Sequence, residues 1–231
     1  IVLDSDVVLP ETYMQHVLDE IKREPCDAFG GPDRAHHDFS PIQKAISYSM
    51  TSFFTTGGIR GGKKKLDKFY PRSYNMGIKS DVYKALNGFS KMRFGEDIDF
   101  SIRIFDNGYS CRLFPEAWVY HKRRTDFRKF FKQVYNSGIA RINLYKKYPS
   151  SLKLVHLLPA VFTVGVFLLC LSALLLCSFV PLSLLLLYSI LIFIDSATHY
   201  KSIKIGFLSV GAAFTQLMGY GLGFIEAWWK R

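Results

Sequence analysis

The first ten residues, IVLDSDVVLP (Ile1–Pro10), decide how the rest of the chain reads. Ile1–Leu3 is a short apolar run of the kind a buried strand requires. It stops at Asp4-Ser5-Asp6, before Val7–Leu9 and Pro10. Two carboxylates one residue apart at a strand's C-terminal edge can face the crevice where α/β sheets bind ligands. As hard oxygen ligands they suit Mg²⁺ or Mn²⁺ bridged to a diphosphate; by themselves they serve equally well as an Asx-turn with no ligand. A strand at the first residue, which is Ile and not Met, with no signal peptide, predicts that the chain continues upstream and is a fragment.

Outward from this stretch, strand and helix signals alternate. Tyr13, Met14, Val17, Leu18 and Ile21 follow helical spacing after Pro10. Residues 26–31 (CDAFGG) read as a strand ending in a glycine turn. Pro41 to about Phe54 reads as helix, and the glycine pairs 57–58 and 61–62 with Lys63–Lys65 as an exposed mobile loop. Residues 73–89 predict a strand, a short helix and a stop at Gly88. Residues 95–107 predict an amphipathic helix, Tyr109–Phe114 and Trp118–Tyr120 strands, and 126–148 a strongly basic helix. Such alternation ahead of apolar segments implies an α/β domain on a helical anchor.

Charge is distributed unevenly along the 231 residues. Residues 1–154 hold 26 Lys/Arg against 17 Asp/Glu, whereas 155–229 are nearly uncharged. The basic part points to phosphates or an anionic surface as partner: a membrane leaflet, a sugar diphosphate or, on charge alone, nucleic acid. No recognisable nucleic-acid module encloses the abundant aromatics, so nucleic acid is excluded as a partner. Cysteines 26, 111, 170 and 177 have no CxxC spacing and no companion His pattern, which argues against a disulfide framework or a zinc site.

Two further stretches could carry chemistry. Glu96-Asp97-Ile98-Asp99 opens a helix after Gly95, where the macrodipole favours acids and Asp99 can pair with Arg103. Capping accounts for one or two of the three acids; one could be a general base for an attacking hydroxyl. His121 ends a strand and leads into Lys122-Arg123-Arg124, a cluster able to hold phosphates or to lie on a membrane surface.

Taken together and in order, VLDSD, RSYNMGIKSDVYKALNGF, FGEDIDFSIRIFDNGY and PEAWVYHKRRT resemble the family 2 glycosyltransferases of the GT-A fold, over residues 1 to about 145. The resemblance implies the C-terminal part of a GT-A catalytic domain at 1–150, followed by a membrane domain at 151–231. It implies that Asp4 and Asp6 hold a divalent cation (Mg²⁺ or Mn²⁺) on the diphosphate of a nucleotide-sugar donor. His121 completes the metal or diphosphate site, and Arg123 and Arg124 stabilise the departing nucleotide. Asp97 is the expected catalytic base, with Glu96 binding or orienting the acceptor, a carbohydrate or a lipid-linked sugar. The implied enzyme inverts the anomeric configuration. Processive synthesis is not expected, because the Q-x-x-R-W signature is absent: Gln133 precedes Val134, Tyr135 and Asn136. The family's N-terminal nucleotide-binding strands are also absent, so the fragment alone is expected to be inactive. Transfer onto polyprenyl phosphate, or a non-catalytic basic module on membrane lipid, are the competing readings.

Three apolar segments, about 155–180, 182–198 and 205–227, are expected to give two to three helices. Residues 155–180 contain no Asp, Glu, Lys or Arg and are long enough to span, and the second segment must absorb Asp195. Buried core helices are the alternative for each. The third segment is either crossing or re-entrant, its glycines 206, 211, 219, 221 and 223 being compatible with close helix packing or with a re-entrant or interfacial course. The 21 uncharged residues 205–225 favour crossing, but that would leave Lys230-Arg231 on the outer face, against the positive-inside rule. The expected arrangement is a multi-pass membrane protein with its catalytic domain on the cytoplasmic side.

Overall fold

The computed structural model describes residues 1–36, 38–57 and 69–230. In chain order the elements are β1 (Val2–Leu3), β2 (Val7–Val8), α1 (Tyr13–Arg23), β3 (Ala28–Gly30), β4 (Asp33–Arg34), α2 (Pro41–Thr51), α3 (Phe53–Thr56), β5 (Asn75–Ile78) and α4 (Ser80–Ala85). Then follow α5 (Glu96–Asp106), β6 (Cys111–Leu113), β7 (Val119–His121), α6 (Phe127–Lys147), α7 (Leu158–Leu175), α8 (Ser183–Tyr200) and α9 (Ile203–Trp229). The loop expected at 57–65 lies, beyond Gly57, outside the described residues.

The chain divides into two compact units: Ile1–Asp38 with Gly61–Lys122, and Phe39–Arg60 with Arg123–Arg231. Packing therefore divides the chain elsewhere than residue 150. Helices α2 and α6, which sequence places with the catalytic part, group with the apolar C-terminal helices.

The first unit is a mixed helix and strand domain with two small sheets. One has the order β1-β5-β3-β6, with β5 antiparallel to both β1 and β3, and β3 parallel to β6. The other has the order β2-β7-β4, with β7 antiparallel to β2 and parallel to β4. Helix α1 turns Tyr13 and Val17 inward against Phe29, Phe114 and Val119. Helices α4 and α5 bury Val82, Phe100 and Ile104 against Ala28 and Met76. Gly31 has a purely steric role: a Cβ there would fall on the Ala117 carbonyl and the Asn75 amide. That close approach lets buried Asn75 accept from the Tyr13 hydroxyl at 2.7 Å and donate to the Ala117 carbonyl at 2.7 Å.

The second unit is helical and is built around α9. Ser40 caps α2 by accepting from the Gln43 N–H, and the Gln43 side chain reciprocates, with Pro41 in the first turn, so the chain enters that helix with its first donors satisfied. The Tyr48 hydroxyl of α2 donates to Asp195 of α8 at 2.5 Å, which is how the apolar α8 accommodates its carboxylate. Ser196 and Ser209 hydrogen-bond across α8 and α9 at 2.7 Å. Among the described residues, Leu154–Leu175, Val180–Tyr200 and Ile203–Trp229 are long and apolar enough to cross a membrane, with mean hydropathies of 2.4, 2.0 and 1.3.

Candidate functional site

Asp4-Ser5-Asp6 is the turn by which the chain leaves β1 in one sheet and enters β2 in the other. The register of β2 on β7 sets Val7 opposite His121, and the Lys122 N–H donates to the Asp6 carbonyl at 3.2 Å. Strand pairing thus brings residues more than a hundred positions apart to one place. His121 Nε2 lies 3.3 Å from Asp6 Oδ1 and 3.8 Å from Asp4 Oδ2. One ligand atom from each of Asp4, Asp6 and His121 lies within 4.8 Å of the others. Two carboxylates and an imidazole, converging and partly open to solvent, fit a divalent cation of the Mn²⁺ or Mg²⁺ type.

Behind the imidazole stand residues to which sequence reading gave no role. Tyr74 stacks on His121 with ring centroids 4.8 Å apart, and its hydroxyl donates to Asp33 Oδ1 at 3.2 Å. Asp33 Oδ2 lies 4.0 Å from His121 Nδ1, a buried nitrogen with no hydrogen-bond partner among the described residues. The imidazole therefore presents Nε2 to the two acids while its other edge faces a third carboxylate.

The second acidic stretch separates by role. Gly95 takes the left-handed conformation (φ 84°) that a side chain would resist, and from it α5 starts with Glu96 and Asp97 in its first turn. Asp99 is fully buried and structural: it accepts from Arg103 Nε at 3.1 Å, and Arg103 also holds the Leu86 and Gly88 carbonyls at 2.5 and 2.7 Å. Asp97 accepts from the N–H of Ile98 at 2.7 Å and from Arg72 Nη1 at 3.3 Å. Arg72 stands in a motif quoted from the sequence, but its pairing with Asp97, 25 residues away, carries no sequence signal. Burial pushes the Glu96 carboxyl above its ordinary range, and the negative charges of Asp97 and Asp4 add to the rise. That electrostatic link joins the two acidic stretches into one neighbourhood.

Arg123 and Arg124, expected at the leaving group, belong to the second unit. There Arg123 is buried and its carbonyl accepts from the Gln43 side chain at 2.9 Å, while Arg124 Nε donates to Gln133 at 3.3 Å.

A metal-competent acid–imidazole cluster, linked electrostatically to a helix-borne Glu-Asp pair, is chemistry that suits group transfer. Residues 1–194 match the family described as glycosyl transferase family group 2, and the chain belongs to that family. The protein is a glycosyltransferase. No curated protein matches the chain.

Proposed function

We propose that this domain transfers a sugar from a nucleoside-diphosphate donor to an acceptor hydroxyl, inverting the anomeric carbon, one residue at a time, at the cytoplasmic face of a membrane. The observation that carries the reading is the convergence of Asp4, Asp6 and His121 beside Glu96 and Asp97. Asp4, Asp6 and His121 would hold a divalent cation, which would offset the negative charge on the departing diphosphate. Asp97, oriented by Arg72 and its own helix, takes the proton from the acceptor hydroxyl. Glu96, with its raised affinity for a proton, orients that hydroxyl. Tyr74 fixes the plane of the His121 ring. The acceptor is a carbohydrate or a lipid-linked sugar.

Turnover of nucleotide sugar by the intact protein tests the cation set. EDTA is expected to abolish transfer and Mn²⁺ or Mg²⁺ to restore it. Asp6→Ala is expected to remove most of the activity with an unchanged circular dichroism spectrum. Undiminished turnover in chelator would overturn the metal assignment.

A further inference from the structure

The three apolar helices are not equivalent. The most apolar windows of the first two are only 6% and 11% buried by protein, whereas that of the third is 44% buried. Much of what covers α9 is the basic helix α6, and the contacts fix their register. Phe127 lies against Gly211, Val134 against Gly219, and Gly138 against Tyr220 and the N–H of Phe224. The Tyr135 carbonyl lies against Gly223, and Ile142 packs on Phe224 and Ala227. At the far end Lys146 Nζ donates to the carbonyls of Ala227 and Lys230 at 3.3 and 3.1 Å. Residue numbers rise together on both helices, so α6 and α9 run parallel, side by side, for all 21 residues of α6. That is about 30 Å, the thickness of a bilayer's hydrocarbon core.

This register conflicts with a membrane-crossing α9. By this register the middle of α9, near Gln216, is level with Lys132, with Arg128 and Lys129 one turn away, and all three cations are exposed. A crossing α9 would carry them to the bilayer centre, about 15 Å from either surface, beyond the reach of a snorkelling side chain. The exposed residues of α9 tell the same story. Lys204, Phe207, Gly211, Leu222 and Trp229 follow one helical stripe, with exposed Ile203 and Trp228 flanking it at the two termini, so the middle of α9 presents a single mainly apolar face and not a lipid-facing circumference.

We infer that α9 does not cross, and that α6 and α9 lie together along one surface of the bilayer. The apolar stripe of α9 faces the acyl chains, and the Arg128, Lys129 and Lys132 edge of α6 faces the phosphates of anionic phospholipids. Helices α7 and α8 are the inserted pair. Their outward leucines and phenylalanines, Phe167, Leu174 and Leu184 among them, and Phe179 in the connection between the two helices, have no comparable protein cover. The arrangement sets aside the crossing expected from length. It also removes the conflict over charge, because Lys230 then shares a face with Lys146, Lys147, Lys201 and Lys204. The partner is named by charge complementarity: three exposed cations on one edge of a surface helix match an anionic leaflet.

The test uses the intact chain with its four cysteines replaced by serine and single cysteines introduced as Lys204→Cys, Lys230→Cys or Phe179→Cys. A membrane-impermeant maleimide is applied to sealed vesicles of either orientation. Positions 204 and 230 are expected to react from the same face and position 179 from the opposite one. Reaction of position 230 only from the face opposite 204, or only after detergent, overturns the inference. A companion measurement takes the lipids retained by detergent-solubilised protein from mixed phosphatidylcholine and phosphatidylglycerol. The variant R128Q/K129Q/K132Q is expected to retain several-fold less phosphatidylglycerol relative to phosphatidylcholine. An unchanged ratio, or displacement of the lipid by inorganic phosphate alone, overturns the lipid assignment.

Discussion

The two units keep their shape by opposite means. In the first, long-range order rests on buried polar groups: Asn75 links Tyr13 to the Ala117 carbonyl, and Asp99 with Arg103 gathers the carbonyls of Leu86 and Gly88. In the second, polar links such as Tyr48–Asp195 and Ser196–Ser209 are joined by close contacts that rest on missing side chains. Gly219 and Gly223 admit α6 to the surface of α9, Gly221 admits Thr163 and Pro159 of α7, and Gly138 of α6 admits the backbone of α9. Charged catalytic groups need directional bonds to fix them, while apolar helices gain little from further apolar contact and much from close backbone approach. The first unit should thus be broken by deleting polar atoms, and the second by adding a methyl group.

The largest expected effect lies in the first unit and is catalytic. Asp97→Asn keeps the size of the side chain but cannot take a proton. It is expected to lower turnover by roughly 10²–10⁴ while donor binding is kept. Loss of donor binding instead would move Asp97 into the donor or metal site, and full turnover would favour a phosphate acceptor. Glu96→Gln is expected to cost less and to change the pH profile. Because the Glu96 carboxyl titrates above its ordinary range, activity of the natural protein should fall on acidification as that group protonates. The corresponding limb should be missing from the Gln variant.

The second unit supplies a matched pair of smaller effects, read by thermal denaturation. A Cβ on Gly138 would press on the Tyr220 carbonyl and come within 2.7 Å of the Phe224 nitrogen. Gly138→Ala is therefore expected to destabilise by about 1–3 kcal/mol, the range for overpacking. Gly211→Ala meets nothing nearer than the Phe127 ring at 3.7 Å. It is expected to be neutral or to stabilise by up to about 1 kcal/mol through helix propensity. Equal losses at both glycines would mean that α6 and α9 are not packed in the register described.

The contrast also explains what could be read from the sequence. Helix period, strand alternation and glycine stops are local, so β1, α1, β3, α4, α5 and the three apolar helices stand close to where periodicity places them. The acids and His121 are visible because each stands at the boundary of a recognisable element. Asp33 was not, because β4 is two residues long and has no pattern of its own. Arg72 was hidden for a different reason: its value comes from Asp97, 25 residues away, and charge pairing across that distance leaves no period. The grouping of α2 with the C-terminal helices was hidden likewise. Its sequence shows a helix with a buried side, but only the fold shows that Tyr48 meets Asp195, 147 residues further on. The third apolar segment meets the length criterion for a span, and the surface course inferred for it rests on what packs beside it. Twenty-one uncharged residues satisfy a span, yet the helix beside them carries Lys132 at their midpoint, and a lysine at the bilayer centre costs about 2.5–3.5 kcal/mol.

The smallest effect isolates one polar link of the first unit from the rest. Asp27 precedes β3 and ties it to the start of β6: its carboxylate accepts from the Ser110 N–H at 2.8 Å and hydroxyl at 2.9 Å, and from Lys79 at 2.9 Å. The Lys79 bond first, then those from Ser110, hold its carboxyl down from 3.8 to about 2. A carboxyl whose value is depressed in the folded state contributes stability that is present above its unfolded value and is lost as pH falls through the folded one. The contribution of Asp27 should therefore be whole at neutral pH and disappear between about pH 4 and pH 2. With the site near the surface and screened by solvent, Asp27→Asn is expected to cost only about 0.5–1 kcal/mol at pH 7. Denaturant unfolding at a series of pH values checks this, because the natural and variant curves should converge as pH approaches 2. A difference that persisted unchanged into acid would mean that packing by Asp27, and not its charge, joins the two strands.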